Sequence, residues 1–279
     1  MSKKNSSAYL PARGRGASIG LTLGLLLALG LITVNVWMLN GGLARERQDR
    51  VQNQFWIVSQ PGHSAPQRRD AMLALIRYGN TEWGSAKLGG LDLSGMDLRD
   101  AALARADLQG TLFRDARLQR ANFSNCALQQ AEFNDAELSE ARGDSSDLYR
   151  ADLSGARMNR AQFAAARFQE TKMHGTKLVL ANLAEADFLM ADLTDADLSG
   201  ANLSGARLES TLLRNANLSL TRLSDADVQD ADFTDSNWWR ARGLNGGILA
   251  RFIGEFPPST NAPTELREDY QIWLEKHSK

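Results

Sequence analysis

Residues 181–200 read ANLAE ADFLM ADLTD ADLSG, four units of five that share one plan. A small residue comes first, then Asp or Asn, then a large apolar residue, then two variable positions. The plan extends far in both directions. The large residue recurs every five positions from Leu88 to Trp238, 31 times in all; nineteen are Leu, seven Phe and two Met. Val228 and Trp238 bring the apolar set to thirty, and Gly143 is the exception. An ordinary apolar content of about 45–50% does not produce such a run by chance. Two residues before each centre stands Ala in 21 cases and Thr, Ser or Cys in eight, with only Leu91 and Met96 large. Immediately before the centre, fifteen residues are Asp or Asn.

A period of five fits neither a helix, which repeats at 3.6, nor a flat strand, which repeats at 2. A chain that turns a corner every five residues does keep both sets inward. Each side then buries one large and one small residue, and their alternation can fill a square interior without voids. Gly143, within Arg142-Gly143-Asp144-Ser145-Ser146, leaves one side unplugged, which predicts a small void or bulge there.

These units resemble the pentapeptide-repeat family, A-[DN]-L-x-x, over residues 86–240. The resemblance implies an all-β solenoid, a right-handed quadrilateral β-helix with four units per coil. Thirty-one units give about eight coils, and at the roughly 4.8 Å spacing of stacked strands a rod about 37 Å long. The twenty-residue coil can be checked within the sequence. On the side containing Leu98 the outward charges are Asp97 and Asp100, then Arg117 and Arg120, then Glu137 and Glu140, then Arg157 and Arg160. Neighbouring strands favour opposite charges and penalise like ones. Each exposed pair is worth only about 0–1 kcal/mol, so the ladder reads as register control.

Further along the same side the outward positions turn apolar. Val179, Leu180, Leu220 and Trp239 are expected to face water, with Ser199, Gly200 and Ser219 between them. A monomer rarely leaves such a patch bare. It is a candidate interaction or fold-back patch, covered by the tail through Ile248, Leu249, Phe252 and Ile253 or, alternatively, by a dimer partner.

The flanks differ in character. Residues 1–18 form a basic tail with Lys3, Lys4, Arg13 and Arg15. Residues 19–39 carry no charge and match the roughly 20 residues of a transmembrane helix, too long for the apolar core of a cleaved signal peptide. Arg45, Arg47 and Arg50 follow it. The positive-inside rule then places the N-terminus in the cytoplasm and the repeat domain on the outer, periplasmic side of the cell membrane, as a single-pass protein. Gly16, Gly20, Gly24 and Ala28 form a small-residue stripe that offers a homodimer contact. Residues 40–85 read as a juxtamembrane helix and a helical cap, the latter opened by a Ser64–Gln67 capping box and carrying Met72, Leu75 and Ile76 as its apolar stripe. Residues 241–279 read as a C-terminal cap with a helix from Thr264 to His277, its stripe Leu266, Tyr270, Trp273 and Leu274.

Composition narrows the function. The chain has 279 residues, with 32 Lys and Arg against 33 Asp and Glu. A net charge of −1 argues against a general nucleic-acid binder. The charge is uneven: −1 over residues 86–176 but −7 over 177–239. One cysteine excludes a disulfide framework and a multi-cysteine zinc site, and Cys126, at an inward small position, reads as a buried thiol. His63, His174 and His277 are scattered, and no nucleotide, nucleophile or zinc-protease motif is present. Neither catalytic residues, a cofactor nor a metal is expected. The reading is a membrane-anchored, non-enzymatic scaffold that presents a β-helix to an unknown protein partner. The alternative, implied by the family resemblance, is an acidic DNA-mimic rod that binds and modulates a type II topoisomerase. The mixed charges of the early coils stand against it.

Overall fold

The computed structural model describes residues 45–46, 49–50, 53–54, 57, 64–77 and 86–277. The chain falls into two compact units, Met1–Asn53 and Gln54–Lys279. In the first, Arg50 lies 2.9 Å from Glu46, one helical turn earlier. The second holds the repeats.

Parallel bridges pair second-position residues with the one twenty later, from Lys87 with Asp107 to Arg222 with Arg242, except at Asn217, where Asn237 Nδ2 donates to the Asn217 side chain. The chain therefore closes one coil every four units, nearly eight times. Contact between coils is made by single bridged residues, not by extended strands.

The five-residue plan follows from where each backbone N–H goes, since buried donors must be satisfied. In the unit beginning at Ala191, the Ala191 N–H donates to the Phe188 carbonyl across the corner at 2.9 Å. Asp192 N–H reaches back one coil to Thr171 O, and Leu193 N–H reaches forward to Leu212 O. Asp195 N–H also reaches forward, to Arg214 O. Only the fourth donor, Thr194 N–H, has no coil partner, and the Asp192 Oδ1 accepts it at 3.0 Å. Fourteen of the fifteen Asp and Asn residues in this column accept the N–H two residues on. The acidic column is thus a row of side-chain turns. Where the column holds Gln162 or Lys177, the fourth N–H borrows an oxygen from the previous coil: Ala164 from Asp144 and Val179 from Asn159.

The fifth residue turns the corner. From Gly90 to Asp235 every one is left-handed, with φ between 52° and 71°. Only glycine accepts this freely, and Asn or Asp tolerates it better than other side chains.

Inside, the centres are buried and phenylalanines one coil apart stack, Phe113 on Phe133 and Phe168 on Phe188, each at 4.8 Å. Ser146 and Ser236, at the small inward position, donate to the carbonyl three residues earlier, whereas the threonines there share another rule. Thr111, Thr171, Thr176, Thr211 and Thr221 each donate to the carbonyl 23 residues earlier, at 2.8–3.1 Å. Cys126 makes the same contact with Leu103 O, and burial pushes its thiol up to about 11. The void expected at Gly143 is absent. A Cβ there would lie 2.0 Å from Phe163 Cε1, so the ring from the next coil occupies the space.

Both ends of the rod carry helices. Helix α1, Ala65–Arg77, buries Ala71 and Met72, and Gln67 Oε1 accepts the Ser64 N–H at 3.0 Å at its start. Arg69 approaches Asp92 of the first coil at 3.9 Å. At the other end the chain forms a 3-10 turn, Trp238–Arg240, then helix α2, Gly246–Glu255, and helix α3, Thr264–His277. Asn245 caps α2 by accepting the Ile248 N–H. Phe252 of α2 lies 4.5 Å from the Phe233 ring and 5.4 Å from that of Trp238. Tyr270 and Trp273 of α3 complete the cover over Trp238.

The expected membrane placement is corrected. Helices α1, α2 and α3 have 13, 10 and 14 residues, short of the roughly 20 that a bilayer needs. Among the described residues no helix is long and apolar enough to cross a membrane. The expected span at residues 19–39 and the Gly16, Gly20, Gly24 and Ala28 stripe lie outside the described residues. Single-pass insertion, with the topology inferred from it, is not retained.

Candidate interaction surface

The side chains singled out for the charge ladder fall in register. Asp97, Arg117, Glu137 and Arg157 form consecutive bridges. Arg117 approaches Asp97 at 3.5 Å, Arg157 meets Glu137 at 2.7 Å, and Arg120 meets Asp100 at 2.7 Å. Arg99 grips Asp97 as well, and its hydrogen bonds hold that carboxyl below its ordinary range. Arg120 does the same for Asp100. Glu140 and Arg160 form no ion pair among the described residues. Beyond Arg157 the column continues with Lys177, a like charge that breaks the alternation, and then with Asp197 and Asn217.

A second alternating column, not singled out from the sequence, runs on another side. Asp147, Arg167, Asp187, Arg207 and Asp227 are consecutive bridge partners. Arg167 meets Asp147 at 2.9 Å and Arg207 approaches Asp187 at 3.6 Å. Arg214 pairs with Asp232 at 2.5 Å. The acids of the late coils are therefore interleaved with arginines along this column.

The four apolar residues of the patch separate into two kinds. Leu180 and Leu220 are 53% and 57% exposed, and Val179 is half-buried. Trp239 is not exposed, a correction to its reading as a water-facing residue. Helix α3 covers it: its indole Nε1–H donates to Asp269 at 2.8 Å, and its ring meets Tyr270 at 5.0 Å. The tail does pack over the end of the rod, but α3 covers this side, while Phe252 of α2 closes the terminal coil. Coverage stops short of Leu220. There an open cleft of about 540 Å³ remains between α3 and the rod, lined by Leu220, Trp239, Ile272, Trp273 and Lys276 among others. Asp269 in its wall is held by Arg240, whose hydrogen bonds lower its carboxyl below the ordinary range. Gly200 separates the two leucines, and Leu180 leans over it; a Cβ on Gly200 would lie 2.7 Å from Leu180 Cδ2. Among the described residues no group of His, Cys, Asp or Glu is placed to hold a metal ion.

Family models match this repeat directly. The model described as pentapeptide repeats (8 copies) covers residues 85–120, 121–160 and 201–237, and that of the pentapeptide repeat region covers 144–218. Together they run unbroken over more than half of the sequence. The chain belongs to the pentapeptide-repeat family. Among solved pentapeptide-repeat structures it is similar to a protein of the Arabidopsis thaliana thylakoid lumen, at 24% identity and a TM-score of 0.39 over 43% of this chain and 83% of that one. It is similar to HetL, involved in heterocyst differentiation regulation in the cyanobacterium Nostoc, at 24% identity and 0.33 over 63% and 98%. It is also similar to QnrB1, a plasmid-mediated fluoroquinolone resistance protein, at 22% identity and 0.32 over 60% and 90%. No curated protein matches the sequence.

Proposed function

We propose that this protein is a non-enzymatic scaffold that offers the late coils of a pentapeptide-repeat β-helix, right-handed and quadrilateral as the family resemblance implies, to a protein partner. Membership of a family of generally non-enzymatic, protein-binding rods supports the first half of that reading. One observation supports the second. Leu180 and Leu220 are exposed on left-handed corners, at φ 59° and 62°, where Gly, Asn or Asp would fold more easily and dissolve better. In this reading Asp97, Asp100, Arg117, Arg120, Glu137, Glu140, Arg157 and Arg160 keep the register of the coils and do not touch the partner. The topoisomerase alternative is not favoured, because Arg167, Arg207 and Arg214 break up the late acidic sides.

Photocrosslinking in the native cell tests the proposal. A photoreactive residue at position 180 or 220 should give a discrete protein adduct that the same residue at position 100 or 120 does not. Equal adducts at all four positions, or none at 180 and 220, would refute it.

A further inference from the structure

The charges around the leucines say what kind of partner fits. Carboxylates on this side of the late coils are already engaged. Asp197 accepts from the Ser199 N–H and hydroxyl and from Asn217 Nδ2, and Asp269 accepts from Trp239 and Arg240. The cations are not. Arg160, Lys177 and Lys276 are exposed and form no ion pair among the described residues, whereas Arg157 is taken by Glu137 and Arg240 by Asp269.

Their placement is ordered. Leu180 and Leu220 sit two coils apart, about 10 Å, and Leu180 leans over Gly200 between them, towards Leu220 and the cleft beside α3. Arg160 stands one coil beyond Leu180, and Lys177 bridges from the same side as Leu180. Lys276 lines the far wall of the cleft beside Leu220, next to the exposed Ile272. An apolar centre thus has unpaired positive charge at both ends.

Resting on the scaffold reading, we infer that the occupant is an acidic polypeptide segment: an apolar side chain enters the cleft beside Leu220, the segment runs along Leu180, and flanking carboxylates meet Arg160 and Lys177 on one side and Lys276 on the other. From Arg160 to Leu220 spans three coils, about 14 Å, which some four to five extended residues cover; six to eight reach Lys276 as well. The recess between α3 and the rod favours a protruding polypeptide side chain over a flat lipid surface, which could not fill it.

The probe is a displayed library of random twelve-residue peptides, selected on the full chain and counter-selected on a Leu180→Asp, Leu220→Asp variant. The enriched peptides should carry an apolar residue flanked by Asp or Glu. The binding of the best one, followed by fluorescence anisotropy, should weaken about tenfold in an Arg160→Glu, Lys177→Glu variant, and added salt should narrow that gap by screening the attraction in the parent and the repulsion in the variant. All four sites are exposed, so thermal melting of both variants should match the parent. Peptides that depend on Leu180 and Leu220 but lack acids, or that ignore the charge reversals, would overturn the acidic-partner inference and leave the scaffold reading standing. A library without any patch-dependent peptide would remove both. Concentration-dependent dimers in sedimentation that vanish in the Leu220→Asp variant would assign the patch to a second copy of this chain. Cosedimentation with phosphatidylcholine vesicles containing one quarter phosphatidylserine, lost in the charge-reversed variant, would assign it to lipid; either result overturns the inference.

Discussion

Phe163 fills two places at once, its own plug position and the one that Gly143 leaves open a coil earlier, and this makes a quantitative test of the packing. A methyl group at position 143 would sit 2.0, 2.4 and 2.6 Å from Cε1, Cδ1 and Cζ of the Phe163 ring. Carbon atoms rest at about 3.5–4.0 Å, so the ring or the coil must shift by more than 1 Å. Overpacking of that size costs about 1–3 kcal/mol, which is the expected loss for Gly143→Ala. Phe163→Leu withdraws the ring and leaves a cavity; since complete truncation to Ala costs about 3–5 kcal/mol, the partial one should cost about 1–2 kcal/mol. Combined, the two changes should offset each other, because the new methyl enters the space the ring has left. The double variant should lie about 1 kcal/mol below the parent, well short of the sum of the single losses. Urea unfolding of the four proteins, with the slope checked for constancy, measures the cycle. Additivity within about 0.5 kcal/mol would show that Phe163 does not occupy the Gly143 site.

Two further outcomes follow from the hydrogen bonds. Asp192→Asn should leave the melting temperature nearly unchanged, whereas Asp192→Ala should cost about 1 kcal/mol because Thr194 N–H loses its acceptor; equal effects would mean that charge, not the turn, is what the column supplies. Cys126 is neutral in the fold up to about pH 11 but ionises near 9 once unfolded, so its contribution is complete below pH 9 and declines as the pH rises towards 11. Between pH 8 and 10 the parent should lose about 1 kcal/mol more than Cys126→Ala, read from urea midpoints, and parallel losses would contradict the buried thiol.

Much of the rod is legible because a repeat averages out local accident. Thirty apolar centres in one frame outweigh any single ambiguous residue, and Asp97 above Arg117 above Glu137 tests the coil length without a structure. Other features hide for identifiable reasons. The Asp and Asn column looks like outward charge, since a sequence does not display which backbone N–H lacks a partner; the clue was that Asn182, Asn202 and Asn217 serve as well as Asp. Gly143 looks like a hole because its filler, Phe163, is twenty residues away and reads as the plug of its own side alone. Trp239 looks exposed because it occupies an outward position, and only the indole bond to Asp269 reveals the helix above it. Helix α2 was written in the spacing of Ile248, Leu249, Phe252, Ile253 and Phe256, a helical period that reads as a mere apolar stretch unless Asn245 is recognised as its cap.

The two charge columns explain how an apolar patch can exist on a rod that must keep its register. A solenoid of near-identical units is prone to slip, and a slip of one unit would place each side chain over the wrong neighbour. On the side of Leu98 the alternating ladder guards against this from Asp97 to Arg157, then gives way to Lys177, Leu180 and Leu220. On the side of Leu148 the other ladder begins at Asp147 and runs to Asp227, covering the coils where the first has stopped. The fold tolerates either sign in these columns, since Asn or Asp makes the turn equally well, and Arg or Lys fits wherever the fourth N–H finds another acceptor, as that of Val179 finds Asn159. Charge is therefore free to be used for pairing on whichever side is not needed for something else. The handover near coil four places register control on one side and leaves the other to its leucines, so a partner could occupy the apolar side without disturbing the ion pairs that align the coils.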